Sequence, residues 1–571
     1  MEKRLLLLIV LTFVVVMLSQ TVFKKFFPSP APAAETQKAA QPAPTPAAPT
    51  PSAPSATPQR AAVASAFSAR QGSAESETVI ENGLYRITFT NRGGQVKSWI
   101  LKNFQDENNQ PLELVNSIGA AKYGLPLSLW TYDESLRNKL NSVLYVSSSE
   151  GTRQAPADIT FEYADQDVSV RKSFRFDHSY MVHVETQVIS QGGVVSAFPM
   201  WPAGFGDETR AATYSSSQIE YQNNDKVERL AIKKISSGGT IQGPFAWAGV
   251  ADGYFAAVFL PDDIQNVALV TLRNSIDIPK DWKKPNPQET TKVEVLGVGV
   301  GSLKGTTSQR MYVGPKSLQV LESVPVPTIA DAPQDLRSLV NFGFFSFIAR
   351  PLFLWLQWTY KYVPNWGWAI VVQTLIINLT LLPLRLSSMK SALKMQKVQP
   401  QMNAIKEKYK KYSMRDPRKQ EMNQEIGALM KREGVNPAGG CLPLIIQMPF
   451  LFAYYSMLGS ALDLRHAHWL WIHDLSSPDP IYLLPIGIMI SMFVTQKMTP
   501  QAGMDPAQQK MMTLMMPVMM GIISFNLAAG LCLYWSEGNL IAIVQQAVMN
   551  RTGLGREMRE LAAKRARKKE K

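Results

Sequence analysis

The chain has 571 residues, 46% of them hydrophobic, and a formal net charge of +14. It is too long for one ordinary domain, and its apolar runs, at the N-terminus and beyond residue 340, exclude a purely soluble protein. Its two cysteines, Cys441 and Cys532, lie in apolar segments and read as packing residues, which excludes a disulfide framework.

At the N-terminus Lys3 and Arg4 precede an apolar run over 5–18, extended by Thr21 to Phe23. Lys24 and Lys25 follow where a small-residue cleavage site would be expected, so residues 1–27 read as an uncleaved transmembrane signal anchor with its N-terminus in the cytoplasm. A mature N-terminus near Ala34 would mark a cleaved signal instead. Residues 28–75, with APTPAAPTPSAPSATP, are too poor in large apolar side chains to fold and read as a disordered Pro/Ala-rich linker. Over 76–325 the pattern turns to period two: Tyr85, Ile87 and Phe89 alternate with Arg86, Thr88 and Thr90. Turn signals recur at Gly93-Gly94, Gly238-Gly239 and Asp252-Gly253, so this is an all-β domain of antiparallel sheets. It shows no nucleophile motif, phosphate loop or metal cluster, and His178 and His183 fit structural roles in strands.

Residues 336–362 are aromatic and apolar, with Arg350-Pro351 in the middle. Either half is too short to span a bilayer, so the segment reads as an interfacial amphipathic helix, a kinked span being the alternative. Residues 365–385, NWGWAIVVQTLIINLTLLPLR, can cross a hydrocarbon core of roughly 30 Å. Thr374, Asn378, Leu381 and Arg385 share one face, and polar groups at this depth turn toward a bundle interior or a wet cavity. Residues 386–436 hold Lys406, Lys410, Lys411 and Arg415 among many cations, and two apolar edges; they read as a basic helical hairpin in the cytoplasm. Four further spans are expected, at about 442–461, 481–495, 511–526 and 531–548. The loop 462–480 is acidic and suits the outside. His466, His468 and His473 in it lack other strong ligands, so no metal and no other cofactor is expected. The tail 551–571, with Arg565 and Lys568, is strongly basic and belongs inside. With the anchor and the first polar helix the count is about six transmembrane helices. The core runs over 363–550.

Two features of the spans bear on function. Glu537 is a carboxylate inside a span, which costs roughly 3 kcal/mol on insertion scales and marks a candidate site. Met511, Met515 and Met519 form one stripe, and Met512, Met516 and Met520 its neighbour; flexible thioethers suit a surface that meets many apolar partners. A plain lipid-facing or core helix accounts for the same stripe.

The stretches NWGWAIVVQT at 365–374, VNPAGGCLPLIIQMPF at 435–450, LWIHDLSSPDP at 470–480, QKMTPQAGMDPAQQKMM at 496–512 and LYWSEGNLIAIVQQ at 533–546 stand in one order over the second half. Together they resemble the YidC/Oxa/Alb family of membrane protein insertases, in the bacterial form with a large periplasmic domain. The resemblance implies a periplasmic β-supersandwich and a five-helix core around a hydrophilic groove, in a multi-pass protein of the cell inner membrane with its C-terminus in the cytoplasm. It implies a membrane protein insertase and chaperone, not an enzyme, acting alone or with the Sec translocon. The partners expected are nascent membrane proteins, the ribosome and anionic lipids, with no specific reading of nucleic acid.

One position departs from the family pattern. An arginine usual five residues before the position of Pro383 is here the neutral Asn378, and the nearest cation is Arg385. At 1.5 Å per residue Arg385 lies about 10 Å nearer the cytoplasm, but helical side chains lean toward the helix N-terminus and recover part of that distance. The expectation is that Arg385 supplies the groove charge, a snorkelling boundary arginine being the alternative. The groove residues are then Gln373, Thr374, Asn378, Arg385, Gln447 and Glu537, with the methionine helix as the substrate's slide. A polytopic solute transporter or channel with a periplasmic binding domain is the alternative from the same polar positions.

Overall fold

The structure is a computed structural model that describes residues 68–571 except 225, 281–285, 287, 328–333, 413–415, 436–441, 499–505, 554–555, 558–559 and 561–571. The signal anchor, most of the linker, Cys441, Arg415, Arg565 and Lys568 lie outside the described residues, as does the side chain of Met511.

The alternating half folds into three main sheets, two of five strands and one of ten. The long path of the largest runs Lys226–Leu230, Gln218–Asn223, Trp247–Ala251, Phe255–Pro261, Thr307–Pro315, Met181–Ser190, Val168–Phe176, Ala157–Ala164, Val146–Ser147. Neighbours on it pair antiparallel, and one parallel pairing, Glu77–Glu81 with Gly151–Gln154, closes a smaller sheet. The period-two pattern shows directly in burial: Val168, Val170, Phe174 and Phe176 turn into the core while Arg171 and Arg175 face out. Lys172 is on the inward side too. Its ammonium is satisfied by three carbonyls, donating to Gly93 O at 3.0 Å, Gly94 O at 2.6 Å and Leu127 O at 2.6 Å. The folded part starts before residue 76, because Arg70 exchanges backbone hydrogen bonds with Ala164 and Gly72 N donates to Leu144 O. Composition alone assigned those residues to the linker, but their backbones are pinned to the sheets.

The second half is helical. In chain order the helices are α1 Ser346–Tyr362, α2 Trp366–Thr380, α3 Leu382–Lys408, α4 Arg418–Arg432, α5 Leu442–Ser460, α6 Leu483–Met498, α7 Pro506–Ser524 and α8 Ala529–Arg551. Helix α1 passes through Pro351 without breaking and leaves Phe347, Leu354, Trp358 and Tyr362 exposed on one side. The stretch 365–385 is not one helix: α2 and α3 meet at Leu381 with a bend of 46°. Pro383 explains the break, since it cannot donate to the preceding turn and its ring crowds it. The hairpin helix therefore starts at Leu382, inside the predicted span. Among the described residues no single helix is long and apolar enough to cross a membrane, although α2 and α3 pass together as a bent pair. In the hairpin, Val398 and Met402 of α3 pack on Ile426 and Leu429 of α4.

The loop 462–480 meets the stretch 365–374 at the start of α2. Asn365 caps the helix, accepting from Trp368 N at 3.1 Å, and its amide donates to His468 O at 2.9 Å. A side chain at Gly367 would run into the Trp469 ring at 2.1 Å, so only glycine permits this approach.

Candidate functional site

The polar face of α2 is turned inward, with Gln373, Thr374 and Asn378 all buried. Intramembrane backbone and side-chain polar groups need protein partners, and each of these has one. Thr374 Oγ1 donates to Ile370 O at 2.7 Å and Asn378 Nδ2 donates to Thr374 O at 2.8 Å. Arg385 comes from beyond the bend, on α3, and reaches back. Its Nη2 donates to Asn378 Oδ1 at 3.1 Å and its Nη1 to Gln545 Oε1 at 2.6 Å. Gln545 Nε2 donates to Asn378 O at 3.4 Å. One half-buried guanidinium thus sits in a three-sided clamp built by α2, α3 and α8, bonded to amide oxygens and, among the described residues, to no carboxylate.

Gln545 was not among the residues expected here, although it lies in the LYWSEGNLIAIVQQ stretch. A glutamine near the end of a span carries no signal of its own until the partner helix is placed. A second polar seam was missed for the same reason. Asn539 Nδ2 donates to Ser491 Oγ at 3.1 Å and Ser536 Oγ to Leu484 O at 3.3 Å, joining α6 to α8.

The remaining expected residues are spread out. Gln373 is not in the clamp. Its Nε2 donates to Leu352 O at 2.9 Å and its Oε1 accepts from the Tyr454 hydroxyl, so it ties α2 to α1 and α5. The Tyr454 ring in turn stacks on Tyr534 of α8, with centroids 4.0 Å apart. Gln447 is half-buried on α5. Glu537 sits on α8, half-buried, and its Oε2 is enclosed without a hydrogen-bond partner among the described residues. Met515 and Met519 are exposed, together with Leu514, Val518 and Ile522, and make an apolar outer face on α7. Met512, Met516 and Met520 are half-buried, and Gln496 Nε2 donates to Met516 Sδ at 3.9 Å. Lys406, Lys410 and Lys411 are exposed on the hairpin. Asp474 and Asp479 are structural in the loop after α5. Asp479 caps α6, accepting from Leu484 N at 2.7 Å, and holds the Trp471 indole at 3.1 Å.

Residues 358–556 match the family model described as 60Kd inner membrane protein, and residues 77–355 match the one described as YidC periplasmic domain. The membrane protein insertase YidC of Syntrophus aciditrophicus is 32% identical over 96% of this chain and 100% of its own. That of Lawsonia intracellularis is 32% identical over 85% of this chain and 88% of its own. A solved structure of an active YidC insertase with its first transmembrane domain resolved shares 19% identity over 85% of this chain and 94% of its own, at a TM-score of 0.34.

Proposed function

The chain belongs to the YidC family of membrane protein insertases, and we propose that its working site is the clamp formed by Asn378, Arg385 and Gln545. It is an inner-membrane insertase with a periplasmic domain, and its substrates are membrane proteins being inserted. The names of the relatives favour insertion over the solute-transport alternative.

The observation that carries the site is the reach of Arg385 across the bend to Asn378 and Gln545. A cation held by two neutral amide oxygens, with no counter-ion among its described hydrogen-bond partners, keeps its charge available. Carbonyl groups and carboxylates of a hydrophilic peptide end can replace the Gln545 and Asn378 oxygens one for one, so the peptide exchanges water for fixed partners inside the bilayer. Its apolar segment then moves out along α7 past Met515 and Met519, driven by burial at about 25 cal/mol per Å². Glu537 and Gln447 border this route on α8 and α5. No nucleotide is required, since partitioning and the membrane potential supply the energy.

In the same reading the C-terminus and the hairpin are cytoplasmic. Lys406, Lys410 and Lys411 there, with Arg415, Arg565 and Lys568, meet the ribosome, whose RNA is acidic, and anionic lipid headgroups. In this reading the protein acts alone or with the Sec translocon.

Proteoliposomes holding only the purified protein test the reading. The expected result is insertion of a single-span protein with a short hydrophilic end, without flux of entrapped solute, and loss of most of that insertion in Arg385→Ala. Normal insertion by Arg385→Ala would remove the clamp from the pathway.

A further inference from the structure

Between α5 and α6 the loop after the short 3-10 turn Leu462–Leu464 carries one cation that the insertion route does not use. The Arg465 guanidinium is buried against the sheet domain, over the rings of Tyr254 at 5.6 Å and Phe255 at 5.5 Å, with its Nη1 3.9 Å from Asp207 Oδ2. Only 7% of the Arg465 side chain and 5% of that of Asp207 remain exposed, so this is not a surface ion pair. Two independent contacts accompany it. Leu462 packs into the core cluster of the sheet domain rather than that of the helices. The Tyr254 hydroxyl lies against the Ser476 side chain of the same loop. Asp207 Oδ1 and Arg465 Nη1 are both enclosed without a hydrogen bond among the described residues. Burial, with the charge of Asp252 beside it, pushes the Asp207 carboxyl well up, so the seat is made by enclosure and ring contact more than by a full charge pair.

The loop is stiff. Asp474 accepts from His466 N at 3.0 Å, Ser476 N at 2.9 Å and the Ser477 hydroxyl at 2.6 Å. It is also fastened to α8, because Ala529 N donates to Ser477 O at 2.7 Å and Gly530 N to Leu475 O at 2.8 Å. Asp479 fastens it to α6.

We propose that Arg465 is the bolt of an interdomain brace: seated in the socket of Asp207, Tyr254 and Phe255, it fixes the loop that holds the outer end of α8, the helix whose inner end carries Gln545. The sheet domain is then a support for the helical core. Removing the guanidinium takes away both ring contacts and the cation facing the Asp207 carboxyl, which is why a single substitution should release the loop.

Hydrogen exchange on the full-length protein in lipid nanodiscs reads this directly. In Arg465→Met the amides of His466, Ser476, Ala529 and Gly530 should exchange about tenfold faster or more, while those of α4 stay as in wild type. Unchanged exchange at 466–476 would overturn the proposal, as would faster exchange confined to the sheet domain. Should Arg465→Met unfold the sheets as a whole, Tyr254→Leu, which removes a ring under the guanidinium, is read at the same amides. The same acceleration there supports the brace, and exchange at the wild-type rate rejects it. Neither outcome depends on Arg385, so failure of the clamp reading and failure of the brace are separable.

Discussion

Arg385 shows how far one residue can be read from its neighbours. Helical spacing put it on nearly the same face as Asn378, seven positions on, and the side chain does reach Asn378, across a bend that spacing did not disclose. The third member of the clamp, Gln545, is 160 residues away in sequence and only the packing of α8 on α2 brings it in. Arg385→Ala should slow insertion of short-tailed substrates about tenfold, equivalent to ~1.4 kcal/mol of barrier. Arg385→Lys should recover part of this, since a lysine keeps the charge but not the two-pronged reach. Initial insertion rates in proteoliposomes check both. Glu208 is a residue of a different kind. Burial, with the charge of Asp252 beside it, pushes its carboxyl up to about 8. The unfolded glutamate ionises near its ordinary 4.5, so between about pH 4.5 and 8 the folded domain holds a proton that the unfolded chain releases. Stability of the sheet domain should therefore decline as pH rises through that window, by up to ~1.4 kcal/mol per pH unit. Glu208→Gln should flatten this part of the profile; thermal unfolding of the full-length protein, followed by the strand signal in circular dichroism, distinguishes the two.

Elements differ in how openly the sequence announces them. The strand Tyr85–Thr90 buries Tyr85, Ile87 and Phe89, so period two found it. The hairpin was legible from the apolar edges that now form its core, Val398 and Met402 against Ile426 and Leu429. The break between α2 and α3 was not, because apolar residues run on through 381–384 and hydropathy has no term for a missing N–H; Pro383 was the signal. The polar positions of α2 also split in a way composition cannot foresee: Gln373 joins helices while Thr374 and Asn378 line the seam. Substituting Leu429→Asp should place a charge in the small hairpin core, cost roughly 2–4 kcal/mol locally and open α3 and α4 to protease. Insertion should fall with it, since in the proposed reading the hairpin meets the incoming chain. Tyr454→Phe should cost about 1–3 kcal/mol in detergent melting experiments, because Gln373 Oε1 loses its donor.

At the scale of the molecule, the order of sheet domain and helical core was legible from composition shifts alone, and the excess of cations in 386–436 and 551–571 is what the proposed orientation rests on. What composition could not give is how the halves are joined, since Arg465 looks like an ordinary loop cation until its socket is seen. Single cysteines at the exposed positions Val194 and Gly427, in a chain with Cys441 and Cys532 replaced, should be labelled by an impermeant thiol reagent from the periplasmic and the cytoplasmic side respectively. The most direct measurement is photo-crosslinking of an arrested nascent chain from probes at Gln545, at Met515 and, as control, at the exposed Leu354 of α1. The hydrophilic end of the substrate should crosslink to position 545 and its apolar segment to position 515, with little at 354. Crosslinks of equal strength at 354, or none at 545, would contradict passage through the Asn378–Arg385–Gln545 clamp.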